Sequence, residues 1–131
     1  MKKIILIFLP ILVFASNINW VKSFNQAISE AKNQNKHIMV FYESKHCRWC
    51  KKMLNTTLKN SEVIKRINKN FISVKVLKEK NDYPDFIYSK YTPTTFFLTV
   101  DGKNIIRPVV GYWDTESFLS FLDDVKKALK K

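Results

Sequence analysis

Apolar positions recur along the chain in two patterns, one typical of strands and one typical of helices, which together predict an α/β domain. Residues 37–42 form a continuous apolar run that is typical of a buried strand, and residues 71–76 alternate between apolar and polar side chains as a strand does. Two further segments, residues 94–100 and 104–110, are also predicted as strands. The last two flank Asp101-Gly102-Lys103, a sequence that favours a hairpin turn. Pro108 has no backbone N–H to donate, so we expect the final strand to lie at an edge of the sheet.

One helix is predicted before the first of these strands by its cap, and apolar residues at helical spacing predict three more helices after it. Ser23 and Gln26 form a capping-box pattern that predicts a helix through about Asn33. Asp114 is expected to cap the final helix. The apolar faces of the later three helices are Met53, Leu54 and Leu58; Val63, Ile64 and Ile67; and Phe118, Phe121, Leu122, Val125 and Leu129. Strands and helices in this order describe a single α/β domain.

The first fifteen residues have the three-part layout of a secretory signal peptide. Met1-Lys2-Lys3 is basic, residues 4–14 are apolar, and Val13-Phe14-Ala15 offers small or modest side chains to an export peptidase before Ser16. The apolar run is shorter than the roughly 20 residues that a membrane helix needs, and an uncleaved signal anchor is the alternative. The sequence therefore predicts a signal peptide at residues 1–15, a mature domain at residues 16–131 and a periplasmic location.

The strongly basic balance of the chain changes this picture little. The formal net charge is +12, and the basic residues are 20 lysines and 3 arginines scattered along the chain. Specific readers of nucleic acid rely on arginine forks and clustered basic patches. We therefore predict a solvated lysine surface on a monomer, with no nucleic-acid partner.

Both cysteines of the chain, Cys47 and Cys50, lie in the segment "HCRWC" after the first predicted strand. Sulfurs three residues apart close too short a loop to stabilise the fold much. A structural zinc site needs four ligands, and only His37 and His46 are available to join the pair. Lys51 follows Cys50, which excludes covalent haem attachment. A dithiol at the start of a helix is a redox arrangement, so we predict redox chemistry with no metal and no cofactor.

Three segments in order resemble the thioredoxin-fold proteins: the apolar strand leading into "HCRWC", "YTPTTFFL", and "DGKNIIRPVVGYWDTESFLSFL". The resemblance covers residues 20–130 and implies a thioredoxin fold, with a central mixed β-sheet flanked by helices and a cis-proline loop. It implies the activity of an exported thiol–disulfide oxidoreductase. It also implies a cis Pro93 that faces the dithiol and leaves the Thr92 backbone free to pair with a client.

The two sulfurs are expected to have different roles. A thiolate is the attacking species, and the start of a helix stabilises negative charge. We therefore expect Cys47 to attack the client disulfide and Cys50, one turn further along, to resolve the mixed disulfide. Arg48 and His46 are expected to stabilise the Cys47 thiolate, although a histidine beside such a motif is often incidental. Trp49 is expected either to form an aromatic rim for the client or simply to cover the start of the helix.

The chain departs from thioredoxin at several positions. Arg48-Trp49 replaces the usual glycine–proline, His46 replaces a tryptophan, and Phe41 replaces the buried acid that accepts a proton from the second cysteine. Glu43 is a substitute acceptor or, alternatively, an exposed charge at a strand end.

Two function classes follow from this reading. The first is a periplasmic reductase or isomerase-like enzyme that acts on exported cysteine-containing proteins. The resemblance implies that a membrane thiol–disulfide donor keeps it reduced. The alternative is a soft-metal protein that binds copper(I) through the same dithiol and His46. It lacks the additional methionines and histidines expected of a copper carrier, because only Met39 and Met53 follow the signal.

Overall fold

A five-stranded mixed sheet forms the centre of the protein in the computed structural model, which describes residues 1–11 and 16–131. In spatial order the strands are β1, β3, β2, β4 and β5. β1 and β2 run parallel to β3, whereas β4 is antiparallel to β2 and β5 is antiparallel to β4. Their bounds are β1 Trp20–Val21, β2 His37–Glu43, β3 Phe71–Leu77, β4 Thr94–Leu98 and β5 Val109–Val110. This arrangement confirms the predicted fold class.

Four helices cover the sheet, at α1 Phe24–Gln34, α2 Arg48–Asn55, α3 Ser61–Asn70 and α4 Thr115–Leu129. Ser23 caps α1 as predicted, because its hydroxyl accepts the Gln26 N–H at 3.1 Å. A capping box would also have the Gln26 side chain accept the Ser23 N–H. Here that side chain instead accepts the Lys22 N–H at 3.0 Å. Asp114 caps α4 as expected and accepts the Ser117 N–H at 2.9 Å.

The sheet buries a different set of side chains on each face. On one face, α1 packs Phe24, Ala27 and Ala31 against alternate residues of the strands. On the other face, α2, α3 and α4 pack against Met39 and Phe41 of β2. Both cysteines belong to this second core. The start of α2 is therefore packed against the hydrophobic core.

The predicted final strand, residues 104–110, is largely wrong. A single bridge joins Leu98 to Asn104 beyond the turn at Gly102, and regular pairing resumes only in β5. Pro108 explains the interruption, since it lacks an N–H and restricts the backbone of the residue before it. The predicted edge position is correct, because β5 is the last strand of the sheet.

Other differences are smaller. The helix after Cys50 ends at Asn55 and continues as a 3-10 turn, Thr57–Lys59. β3 does not alternate in burial, since Lys75 is its one exposed residue, as expected for a strand covered on both faces. Phe121, predicted as core, is half-buried against the Trp113 ring at 5.2 Å.

The N-terminal segment remains a matter of prediction. Residues 1–11 have no regular secondary structure and are exposed. The proposed cleavage residues Val13, Phe14 and Ala15 lie outside the described residues. Among the residues described, no helix has the length and apolar character needed to cross a membrane.

Candidate active site

Cys47 lies where β2 gives way to α2. The strand ends at Glu43, three residues follow, and Cys47 takes an extended conformation as the N-cap of α2. Its sulfur accepts the backbone N–H of Cys50 at 3.1 Å. A sulfur at this position therefore occupies the place of the usual capping oxygen and receives one of the free N–H groups of the helix start.

A disulfide bond joins Cys47 to Cys50, whose Cα atoms are 5.2 Å apart. Both side chains are buried, but Cys47 retains 7% exposure and Cys50 only 2%. Cys47 is thus the more accessible residue of the two.

The loop before β4 lies beside the dithiol segment. The Thr92–Pro93 peptide bond is cis, as the family resemblance implies. The hydroxyls of Ser44 and Thr92 are 3.0 Å apart, which connects this loop to the residues that precede Cys47. The Pro93 carbonyl accepts the Gly111 N–H at 2.7 Å. In the described part of the chain, the Thr92 N–H and carbonyl make no bond to another backbone group, so both remain available.

Four side chains form a cation–aromatic cluster beside Cys47, composed of Arg48, Trp49, Lys52 and Tyr112. The two rings are 5.7 Å apart between centroids. The Lys52 Nζ lies 5.1 Å from the Trp49 centroid and 4.8 Å from that of Tyr112, and the Arg48 guanidinium lies 5.7 Å from that of Trp49. Trp49 is 48% exposed, so the indole presents a surface to solvent while its other side packs on Tyr112 and the two cations.

Comparison with known proteins identifies the family. A model described as a thioredoxin-like domain matches residues 24–126. The chain belongs to the thioredoxin-like family. With its Cys47–Cys50 disulfide, this thioredoxin-like protein is a thiol–disulfide oxidoreductase.

Individual relatives agree with this assignment. The chain is 25% identical to anterior gradient protein 3 of Mus musculus, over 89% of this chain and 74% of that protein. It is 28% identical to the disulfide bond reductase DsbH of Chlamydia pneumoniae, over 90% of this chain and 76% of that protein. Two other curated relatives are much longer, and the match spans only 14% and 10% of them. A solution structure of a thioredoxin from Thermus thermophilus superposes with a TM-score of 0.70 at 21% identity, covering 86% of this chain and 88% of that one, and shows the shared fold.

The residue at the position of the family acid is fully buried in this thioredoxin-like chain. Phe41 has no exposed surface and belongs to the same core as both cysteines. Its ring lies 6.2 Å from that of Trp20. The place of the acid is therefore filled by a well-packed apolar side chain, which has no proton-accepting group.

Glu43 is two residues further along β2 and lies on the same face as Phe41, because side chains alternate along a strand. It is half-buried, and its Oε2 atom is buried with no hydrogen-bond partner among the described residues. Burial raises the pKa of Glu43 above its ordinary value, an effect that Lys75 opposes and Glu79 reinforces. Glu43 is therefore not the simple exposed charge that one reading of the sequence allowed.

The remaining predicted residues are less integrated into the site. His46 is exposed, and within the described residues its side chain makes no hydrogen bond. Arg48 is also exposed and packs over Trp49. Residues 1–11 and 16–131 contain no group of three or more metal-ligating side chains.

Two residues of the site were missed from the sequence. Lys52 was interpreted as part of a solvated helix face, although its i+3 spacing from Trp49 places both on one side of a helix. The sequence does not indicate a role for Tyr112, because its contact with Trp49 depends on how the segment after β5 folds back onto α2.

Proposed function

We propose that the protein is a periplasmic reductase or isomerase-like enzyme that exchanges disulfides with exported cysteine-containing proteins. The observation that carries this proposal is the position of Cys47. Cys47 is the more exposed residue of the pair, and its sulfur accepts an N–H at the start of α2. The relative DsbH, which is named a disulfide bond reductase, supports the reducing direction.

In the proposed reaction, the reduced protein donates two electrons to a client disulfide. The Cys47 thiolate attacks one client sulfur, the client S–S bond breaks, and the other client sulfur leaves as a thiolate that takes a proton. Cys50 then loses its proton and attacks the Cys47 sulfur. The mixed disulfide breaks, the second client sulfur is released, and the Cys47–Cys50 disulfide forms.

Stabilisation of the Cys47 thiolate is the main task of the surrounding residues. The Cys50 N–H points at the sulfur, and the start of α2 adds its partial positive charge. Arg48 and His46, both exposed, add weaker and solvent-screened attraction. A stabilised thiolate is the better attacking species near neutral pH.

Client recognition is assigned to Thr92, Pro93 and Trp49. The Thr92 backbone groups are unpaired within the described chain and lie on the loop that Ser44 ties to the dithiol segment. An extended client segment gains hydrogen bonds by pairing with such a backbone as an added strand. The exposed Trp49 indole offers apolar contact beside it.

Glu43 is the proposed proton acceptor for Cys50. It is the acidic residue that shares a strand face with Phe41 in the dithiol core, and burial raises its pKa toward the range in which a carboxylate accepts a proton more readily. Lys75 lies on the paired strand and is the counter-charge.

Export and reduction by a membrane donor complete the proposal. The basic and apolar pattern of residues 1–15 supports a cleaved signal peptide. A disulfide in the resting protein must be reduced before each client cycle, so a reductase requires a thiol donor. We propose that this donor is a membrane thiol–disulfide protein, on the basis of the family resemblance.

Incubation of the reduced protein with an oxidised model protein, such as insulin, and with copper(I) in parallel tests the proposal. The proposed enzyme reduces insulin catalytically in the presence of a thiol donor, and Cys47→Ser abolishes that activity. Tight binding of copper(I) without insulin reduction would instead support the soft-metal alternative.

A further inference from the structure

The segments that border the dithiol carry exposed cations. Lys45 and Arg48 flank Cys47 closely in the chain, and Lys51 and Lys52 follow on α2; all four are exposed. Neither Arg48 nor Lys52 forms a salt bridge within the described residues, where the one ion pair found is Arg66–Asp123. These charges are therefore available to a partner.

Aromatic rings hold several of these cations near the site. Besides the cation–aromatic cluster on α2, the Lys78 Nζ lies 6.0 Å from the Tyr88 ring and the Lys90 Nζ lies 5.6 Å from the Tyr91 ring. Both tyrosines are exposed; Tyr91 immediately precedes the Thr92–Pro93 loop and Tyr88 lies three residues before Tyr91. A cation over an aromatic face is favourable even at the surface, so these positive charges are concentrated on the two segments that approach a client.

The segment from Lys45 to Lys52 contains no carboxylate, whereas the segment before the Thr92–Pro93 loop balances its three lysines with three acidic residues, Glu79, Asp82 and Asp85. Glu79 accepts the Lys45 N–H through both of its oxygens, at 3.2 and 3.3 Å. Asp114 accepts the Ser117 N–H as the cap of α4. Glu43 is half-buried. These hydrogen bonds leave the carboxylates charged, so the positive excess that a client meets lies on the segment from Lys45 to Lys52, which carries four exposed cations and no acid.

We infer that the protein selects client segments in which acidic residues flank the reacting cysteine. This inference rests on the proposed function and names its substrate class. A client paired with Thr92 is extended, with about 3.3 Å per residue, so residues one or two positions from its cysteine pass close to Arg48 and the rest of the cluster. Aspartate or glutamate at those positions meets unpaired cations, whereas lysine there is repelled.

The test uses the full chain in its reduced form and two disulfide-bonded peptides that differ only in the residues flanking each cysteine, which are glutamate in one and lysine in the other. Exposed ion pairs contribute modestly and are screened by salt. At low ionic strength we expect the glutamate peptide to be reduced about five- to tenfold faster than the lysine peptide. In about 1 M salt, where the screening length falls to about 3 Å, that ratio should approach one.

Two charge-reversal variants separate a local effect from one of net charge. Lys52→Glu should lower the ratio of the two rates at least about threefold at low salt. Lys126→Glu changes the net charge by the same amount. Lys126 lies in α4 and lines a pocket together with Lys36 and Lys69 near the start of β2, whereas the dithiol follows the other end of that strand. This variant should therefore leave the ratio unchanged. A change in thiol reactivity alters both rates equally and leaves their ratio unaffected, because both peptides react with the same dithiol.

Each outcome decides between the two claims. Equal rates for both peptides, or equal loss of the ratio in both variants, would overturn the inference and leave the oxidoreductase activity intact. Failure of the reduced protein to react with either peptide would contradict the proposed function itself, and the inference with it.

Discussion

Replacement of Arg48 by alanine should make the protein slightly less oxidising. The Arg48 guanidinium is exposed and lies over Trp49, and Arg48 directly follows Cys47, whose thiolate forms on reduction. Its loss removes stabilisation from the reduced form alone, because the disulfide carries no charge. An exposed charge pair contributes about 0.2–1 kcal/mol. For a two-electron couple 1.4 kcal/mol corresponds to about 30 mV, so the reduction potential should fall by about 5–20 mV.

Equilibration with glutathione buffers measures this potential, and alkylation by iodoacetamide as a function of pH reports the thiolate directly. The alkylation profile of Arg48→Ala should move to higher pH, because the variant raises the pKa of the Cys47 thiol. Lys126→Ala, at the other end of the domain, is the matched control. A shift in Arg48→Ala no larger than in this control would refute the reasoning and assign thiolate stabilisation to the start of α2 alone.

Four further predictions concern Glu43, Phe41 and export. Burial raises the pKa of Glu43 in the folded protein, so its ionisation opposes folding once the pH rises above the ordinary pKa of a glutamate. Glu43→Gln should therefore be more stable than the native protein in urea at pH 7, with a smaller advantage near pH 4. The same variant should resolve mixed disulfides more slowly, as followed by insulin reduction. Phe41→Asp should speed that resolution, provided that circular dichroism shows the fold intact, and an unchanged rate in a folded variant would argue against proton transfer as the slow step. N-terminal sequencing of protein from the envelope fraction should begin near Ser16, whereas an intact Met1 chain in the membrane would support the anchored form.

The central strands were predictable from two local patterns, a continuous apolar run in β2 and the alternation of Ser73 and Lys75 with apolar residues in β3. Residues 37–42 and 71–76 are within one residue of the observed β2 and β3. β1 has only two residues, too few for any periodicity to appear. The edge hairpin was predicted too long, since an apolar sequence alone does not reveal that Pro108 interrupts its backbone pairing.

The dithiol was predictable for a chemical reason, and its surroundings only in part. Cys47 and Cys50 are close in sequence, and the helix that follows them has a clear apolar face. By contrast, the contact of Trp49 with Tyr112 joins α2 to a segment after β5, which local sequence patterns do not specify. The raised pKa of Glu43 likewise depends on its burial in the fold and on the charges of Lys75 and Glu79 from another part of the chain.

The most direct test of the central claim is the capture of clients by single-cysteine variants. Cys47 is the more exposed residue and the N-cap of α2, whereas Cys50 is the more buried residue. Cys50→Ser should therefore accumulate mixed disulfides with exported proteins that disappear on treatment with a reductant, while Cys47→Ser should capture few or none. Equal capture by the two variants, or capture mainly by Cys47→Ser, would contradict the assignment of Cys47 as the attacking thiol.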